Sequence, residues 1–178
     1  MIHKNKFNSL IFSLFILAIS ISSSAFAQRG PSTEEERARV VALAKASDLD
    51  PRAVMESEDG MWFLNWRREV PEYEIGLDKG AYWAKTAVKG DLRKATRFHH
   101  LLSVAAFQVQ HQILNPKKNP EDELAVTQAG IEGLLRAYEN LLPRRPANFS
   151  KKMDEALKRR NMVDLKAFVI NLPPIPED

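Results

Sequence analysis

The chain contains no cysteine, which excludes a disulfide-stapled mini-domain, a thiol nucleophile and a lipid anchor carried on cysteine. Glycine is scarce, with seven among 178 residues, and the chain has no phosphate-cradling glycine loop. A Gly-x-Ser-x-Gly elbow and a His-Glu-x-x-His pair are absent as well, so the commonest signatures of acyl transfer and of zinc hydrolysis are missing. No segment beyond the N-terminus alternates apolar and polar residues as a strand would. Beyond residue 27 no apolar run is long enough to suggest a membrane span.

What is present begins with a leader. Met1 to Lys6 is positively charged without an acid, Leu10 to Ile21 is an apolar run, and Ala25-Phe26-Ala27 places small residues before a cut. This is the layout of a secretory signal peptide over residues 1–27, with the mature chain starting at Gln28 and exported to the periplasm or the outside. The run is shorter than the ~20 residues of a spanning helix. Loss of Lys4 and Lys6 leaves 24 basic against 23 acidic side chains, so the overall basicity derives partly from the leader and no nucleic-acid affinity is expected.

The remaining 151 residues suffice for one domain with its own core. Ser32 and Thr33 ahead of Glu35 and Glu36 offer two overlapping capping boxes, predicting a helix to about Ala46. Asp50-Pro51 opens another, interrupted at Asp59-Gly60 and resumed to Arg68, with a loop over 71–76. Helical patterns follow over 77–88, from Asn119-Pro120 to Leu142, from Ser150 to Arg160 and from Asp164 to Asn171. The clearest helix covers residues 91–114, where Leu92, Ala95, Phe98, Leu102, Ala106, Val109 and Ile113 form one stripe and Val104, Phe107 and Leu114 face elsewhere. The expected fold is all-α: a single-domain bundle of six to eight helices over residues 28–172, that helix in the middle, and a proline-containing extended tail over 173–178.

Candidate chemistry is thin. His99, His100 and His111 share the central helix, yet His100 and His111 stand roughly 16 Å apart along it, too far to chelate one ion, and His99 and His100 point about 100° apart. No metal or cofactor is therefore expected. Gly130-Ile131-Glu132-Gly133 has the outline of a nucleic-acid-binding glycine loop but lies in a strong helical pattern. Ala125, Ala129, Gly133 and Ala137 recur there every four residues, a ridge that lets a neighbouring helix approach closely.

The stretch from Glu56 to Trp83 holds all three tryptophans and seven acids. Trp62, Trp66, Glu69, Glu72, Tyr73, Glu74 and Trp83 are the candidates for an aromatic groove edged with carboxylates, the alternative being that the rings fill the core. A second candidate is basic: Arg144, Arg145, Lys151, Lys152, Lys158, Arg159, Arg160 and Lys166 give residues 144–178 a net charge of +3. Such a surface suits anionic lipid, peptidoglycan or an acidic protein, or is simply a solvated helix face. Asn148-Phe149-Ser150 is a glycosylation sequon that matters only in a eukaryote.

Ala46-Ser47-Asp48-Leu49-Asp50-Pro51, followed by Glu56-Ser57, is similar to the opening of lytic transglycosylases, helical envelope enzymes with a catalytic glutamate in a Glu-Ser pair. The resemblance spans about a dozen residues. The family has a longer run between proline and glutamate and a following Gly-Leu-Met-Gln segment, and this chain has neither. Three functions follow as expectations. The first is an exported, non-enzymatic helical protein binding another protein or an envelope component, as effector-neutralising, chaperone-like or envelope-assembly proteins do. The second is a cell-wall glycan hydrolase using an acid from 56–78. The third is a helical carrier of an apolar ligand or cofactor beside His99 or His100.

Overall fold

The computed structural model describes residues 29–89, 92–141 and 150–176. The expected signal peptide, the Gly90 stop and Asp91 cap, Arg144, Arg145, Asn148, Phe149 and the last two residues of the tail lie outside them. Among the described residues the fold is all-α, with eight α-helices and no strand. They are α1 (Glu34–Leu49), α2 (Pro51–Glu56), α3 (Glu58–Glu69), α4 (Lys79–Ala87), α5 (Leu92–His111), α6 (Pro120–Leu141), α7 (Lys151–Asn161) and α8 (Leu165–Ile170), with a short 3-10 turn over Pro116–Lys118. No described helix is long and apolar enough to cross a membrane.

Local chemistry explains most of the helix starts. Of the two possible capping boxes at α1, Thr33 with Glu36 forms, because the Ser32 N–H and hydroxyl are both given to the Glu72 carboxylate. Asp50 caps α2. The break expected at Asp59-Gly60 lies at Ser57 instead, whose hydroxyl oxygen accepts the Gly60 N–H. Gly60 sits inside the first turn of α3, where a Cβ would fall 2.2 Å from the Val54 carbonyl oxygen. A glycine that resembles a breaker is thus an allowance for the sharp α2–α3 junction.

The long central helix packs against α1, α2, α4 and α6. It ends at His111 rather than Leu114, since Gln112 turns left-handed at φ 56°. One apolar cluster gathers Val40, Phe63, Trp66, Tyr73, Leu102 and Val109; the other gathers Trp83, Ile131, Leu135, Met153, Leu165 and Leu172. The 71–76 loop is non-helical as expected, yet it buries Tyr73 and Ile75. Gln108 holds the loop in place by donating to the Glu74 and Ile113 carbonyls, and Glu74 N–H bonds Leu114 O at 2.8 Å. The tail after Leu172 has no regular secondary structure as far as Pro176, and it folds back along the domain. Ile175 helps line a small cavity beside Gly76, Leu77 and Asp78.

The α7–α8 turn is a Schellman arrangement, with Asp164 N–H on Arg159 O and Val163 N–H on Arg160 O. Its left-handed position, where glycine is usual, is held by Val163 at φ 58°. For a β-branched residue that conformation costs about 1–2 kcal/mol.

Candidate functional site

The seam between α5 and α6 holds the polar interior. Both His99 and His100 are fully buried, and they straddle α6 because glycine stands opposite each ring. A Cβ on Gly130 would lie 2.3 Å from His100 Cε1, and one on Gly133 would lie 2.1 Å from Ser103 Oγ and 3.4 Å from His99 Nε2. The Gly-Ile-Glu-Gly stretch is therefore a helix-packing element that admits side chains into the α5–α6 interface.

His99 Nε2 lies 2.9 Å from the Gly133 carbonyl oxygen and 3.0 Å from Asp48 Oδ1. The carbonyl only accepts, as does the Asp48 carboxylate when ionised, so Nε2 carries the hydrogen, and the geometry directs it to the carbonyl. Ser47 Oγ sits 2.8 Å from Nδ1. Ser103 Oγ is 3.4 Å from the same Nε2, but a nitrogen already donating has no lone pair to take the serine proton. Ser103 is thus outside any proton relay, and the Ser47 hydroxyl, which does face the lone pair of His99 Nδ1, is fully buried as is the ring itself. His100 Nε2 donates to Asp78 Oδ1 at 2.8 Å, and that oxygen also accepts the Ala81 N–H at the start of α4. Among the described residues no group of three or more metal-ligating side chains converges.

Two carboxylates on this seam titrate below the usual range. Burial works against the charge on Asp48, and the neighbouring His99 and Arg136 side chains outweigh it. Burial likewise opposes the Asp78 charge and is outweighed by His100, the Ala81 N–H and Thr127. A carboxyl depressed in the folded state contributes stability that is complete above its unfolded value, near 3.9, and disappears as pH falls through the folded value. Stability should thus stay level from pH 7 to about 5 as far as these two groups are concerned and drop below about 4. Asp78→Asn should flatten that acid limb in chemical denaturation series; an unchanged limb would remove Asp78 from its cause.

The segment over 56–83 does not assemble as one groove. Trp66 and Tyr73 belong to the first apolar cluster and Trp83 to the second. Trp66 is 1% exposed. Trp62 is half-buried against it, with the Arg39 guanidinium 4.1 Å above its ring. The rings separate because residues 70–78 cross from one cluster to the other. Six of the seven acids are engaged too: Glu56 with Arg52, Asp59 with Arg39, Glu69 with Arg29, Glu74 with Lys117, Glu72 with Ser32 and Asp78 with His100. A general acid requires a raised pKa. Although burial raises it, Glu72 is held below its ordinary value by the Ser32 hydroxyl and N–H, and Asp78 is lowered as well.

Two open grooves stand out among the described residues. One, of about 450 Å³, runs between α1, α5 and α6, where Ala125 and Ala129 continue the small-residue ridge beyond the part covered at Gly133 and Ala137. The other, of about 530 Å³, lies between α4, α7 and α8. Its floor is Trp83 and Phe168, whose rings meet edge to face at 5.4 Å. Lys151, Lys152 and Arg159 stand on its rim, with Glu155 and Asp164 beside Arg159. The sequence treats Trp83 and these bases as separate features, and the fold brings them together. Nothing in the sequence marks Phe168 or Thr86, because a lone aromatic in a short apolar helix and a solitary threonine give no signal.

The rim is built by Ser150. Its hydroxyl donates to Ala87 O and accepts the Met153 N–H, while its own N–H bonds the Tyr138 hydroxyl oxygen. The Tyr138 hydroxyl donates in turn to Asp154 at 2.8 Å. This fixes the first turn of α7 beside the end of α4. Lys151 and Lys152 therefore occupy a helix start, where the dipole favours acids. The Lys152 ammonium has a hydroxyl as its partner, Thr86 Oγ1 at 3.0 Å, and Lys151 has no acidic partner among the described residues. Arg159 is neutralised by Glu155 and Asp164, and Arg160 by Glu139 and Glu132. Lys158 is exposed at the far end of the helix. No protein-family model, no curated protein and no solved structure matches the chain.

Proposed function

We propose that this chain is an exported, non-enzymatic helical protein that acts by binding a partner protein through the groove between α4, α7 and α8. The observation that carries this reading is the pairing of an apolar Trp83–Phe168 floor with two lysines at the positive end of a helix whose nearby acids are engaged elsewhere, Asp154 with the Tyr138 hydroxyl and Glu155 with Arg159. An acidic segment with an apolar side chain fits such a groove: the side chain covers the rings and its carboxylates relieve the crowded positive charge. A binding role also agrees with the buried histidines, whose geometry spends them on packing rather than on a reacting atom.

The test is a photo-crosslinking residue in place of Asn171, on the groove wall, in cells making the protein. A discrete adduct is expected, and it should vanish in Lys151→Glu/Lys152→Glu while the melting temperature stays within a few degrees, since both side chains are exposed. An adduct indifferent to the charge reversal sinks the groove. Mass spectrometry of the envelope fraction tests export separately: the product should begin at Gln28, and uncut Met1 at the membrane would overturn it.

A further inference from the structure

Met162 and Val163 form the tip of the α7–α8 turn and are 74% and 94% exposed, the most exposed large apolar side chains among the described residues. Val163 holds its left-handed φ of 58° where glycine would be relaxed, so the turn keeps an apolar residue at a position where the backbone disfavours it. Retention of strain at a fully exposed site points to a use outside the fold. The charges around the tip are selective. Asp164 and Glu155 are tied to Arg159, whereas Lys158, one helical turn before Met162, and Lys166, in the first turn of α8, are exposed with no acidic partner among the described residues. A convex pair of apolar side chains flanked by free ammonium groups offers far less than the area a stable protein interface needs. An anionic bilayer requires no complementary shape: its interface accepts apolar side chains and its phosphates accept lysines.

We propose that the α7–α8 turn is a membrane-surface contact, with Met162 and Val163 entering the interfacial layer of an anionic bilayer and Lys158 and Lys166 meeting lipid phosphates. The contact is reversible and salt-sensitive, and none of its four residues lines the groove, whose lysines stand at the opposite end of α7.

The absence of cysteine allows a local test that the leader cannot mimic. A nitroxide on Asn161→Cys, beside the tip, reports immersion by its accessibility to oxygen against a water-soluble relaxant. Vesicles of phosphatidylethanolamine with phosphatidylglycerol should immerse the label, and phosphatidylcholine vesicles should not. Lys158→Gln and Lys166→Gln should each weaken partitioning about fivefold. In the same labelled chain, Met162→Ser/Val163→Gly should abolish immersion while melting at or above the parent temperature, because the strain is relieved. A label that stays aqueous on anionic vesicles, or immersion that ignores both the lysines and the tip, overturns the proposal.

Discussion

Gly130→Ala and Gly133→Ala should each destabilise the protein by about 2–4 kcal/mol, although alanine is the better helix former by about 1 kcal/mol. At position 130 the new methyl meets three atoms of the His100 ring, at 2.3, 2.8 and 2.9 Å. The ring has little room to retreat, since Gly80 also crowds its Cε1 and its Nε2 is held by Asp78. Moving it would take one hydrogen bond from a largely buried carboxylate and leave it the Ala81 N–H and Thr127, a cost of about 1–3 kcal/mol. At position 133 the methyl meets Ser103 Cβ at 2.6 Å, which rotation of the hydroxyl cannot relieve. For a domain of this size the melting temperature should fall by roughly 5–15 °C. Gly76→Ala, with nothing within 4 Å of its added Cβ, is the control and should be nearly neutral. Ser103→Gly should partly rescue Gly133→Ala, with a coupling of about 1 kcal/mol or more in a double-mutant cycle. A rise in melting temperature for Gly130→Ala would show that helix propensity prevails and that the seam can open around the added methyl.

Trp66→Ala should cost about 3–5 kcal/mol. The ring is enclosed by Trp62, Phe63 and Tyr73 at centroid distances of 6.0, 6.3 and 6.4 Å, and its removal empties the middle of the first cluster. Its Nε1 has no hydrogen-bond partner, so Trp66→Phe loses volume without breaking a bond and should cost less than half as much, about 1–2 kcal/mol. Trp62→Ala, at a half-buried ring capped by Arg39, should fall near 1–2 kcal/mol. Thermal or denaturant unfolding of the three variants gives the order directly. If Trp66→Ala leaves stability unchanged, the ring is not a core element and a surface role for it returns.

The sequence alone determined the helical class, because its apolar residues recur at steps of three and four and its starts carry capping residues: Ser32 and Thr33 ahead of Glu35 and Glu36, Asp50 with Pro51, Asn119 with Pro120, and Ser150. Caps and periodicity act over one or two turns, so they can be read without knowing what lies across the core. The central position of residues 92–111 was legible for the same reason, since a helix apolar on several sides must be enclosed. The tertiary structure decided the rest. Which of two capping boxes forms depends on Glu72, forty residues away from Ser32. Whether Trp62, Trp66 and Trp83 share a face depends on the path of residues 70–78 between two clusters, and the meeting of Trp83 with Lys151 and Lys152 depends on Ser150 bonding Ala87. The pairing of His99 and His100 with Gly133 and Gly130 is likewise a matter of how two helices cross. These are contacts between residues distant in the chain, and their free energy exists only once the helices have packed, so no local pattern records them.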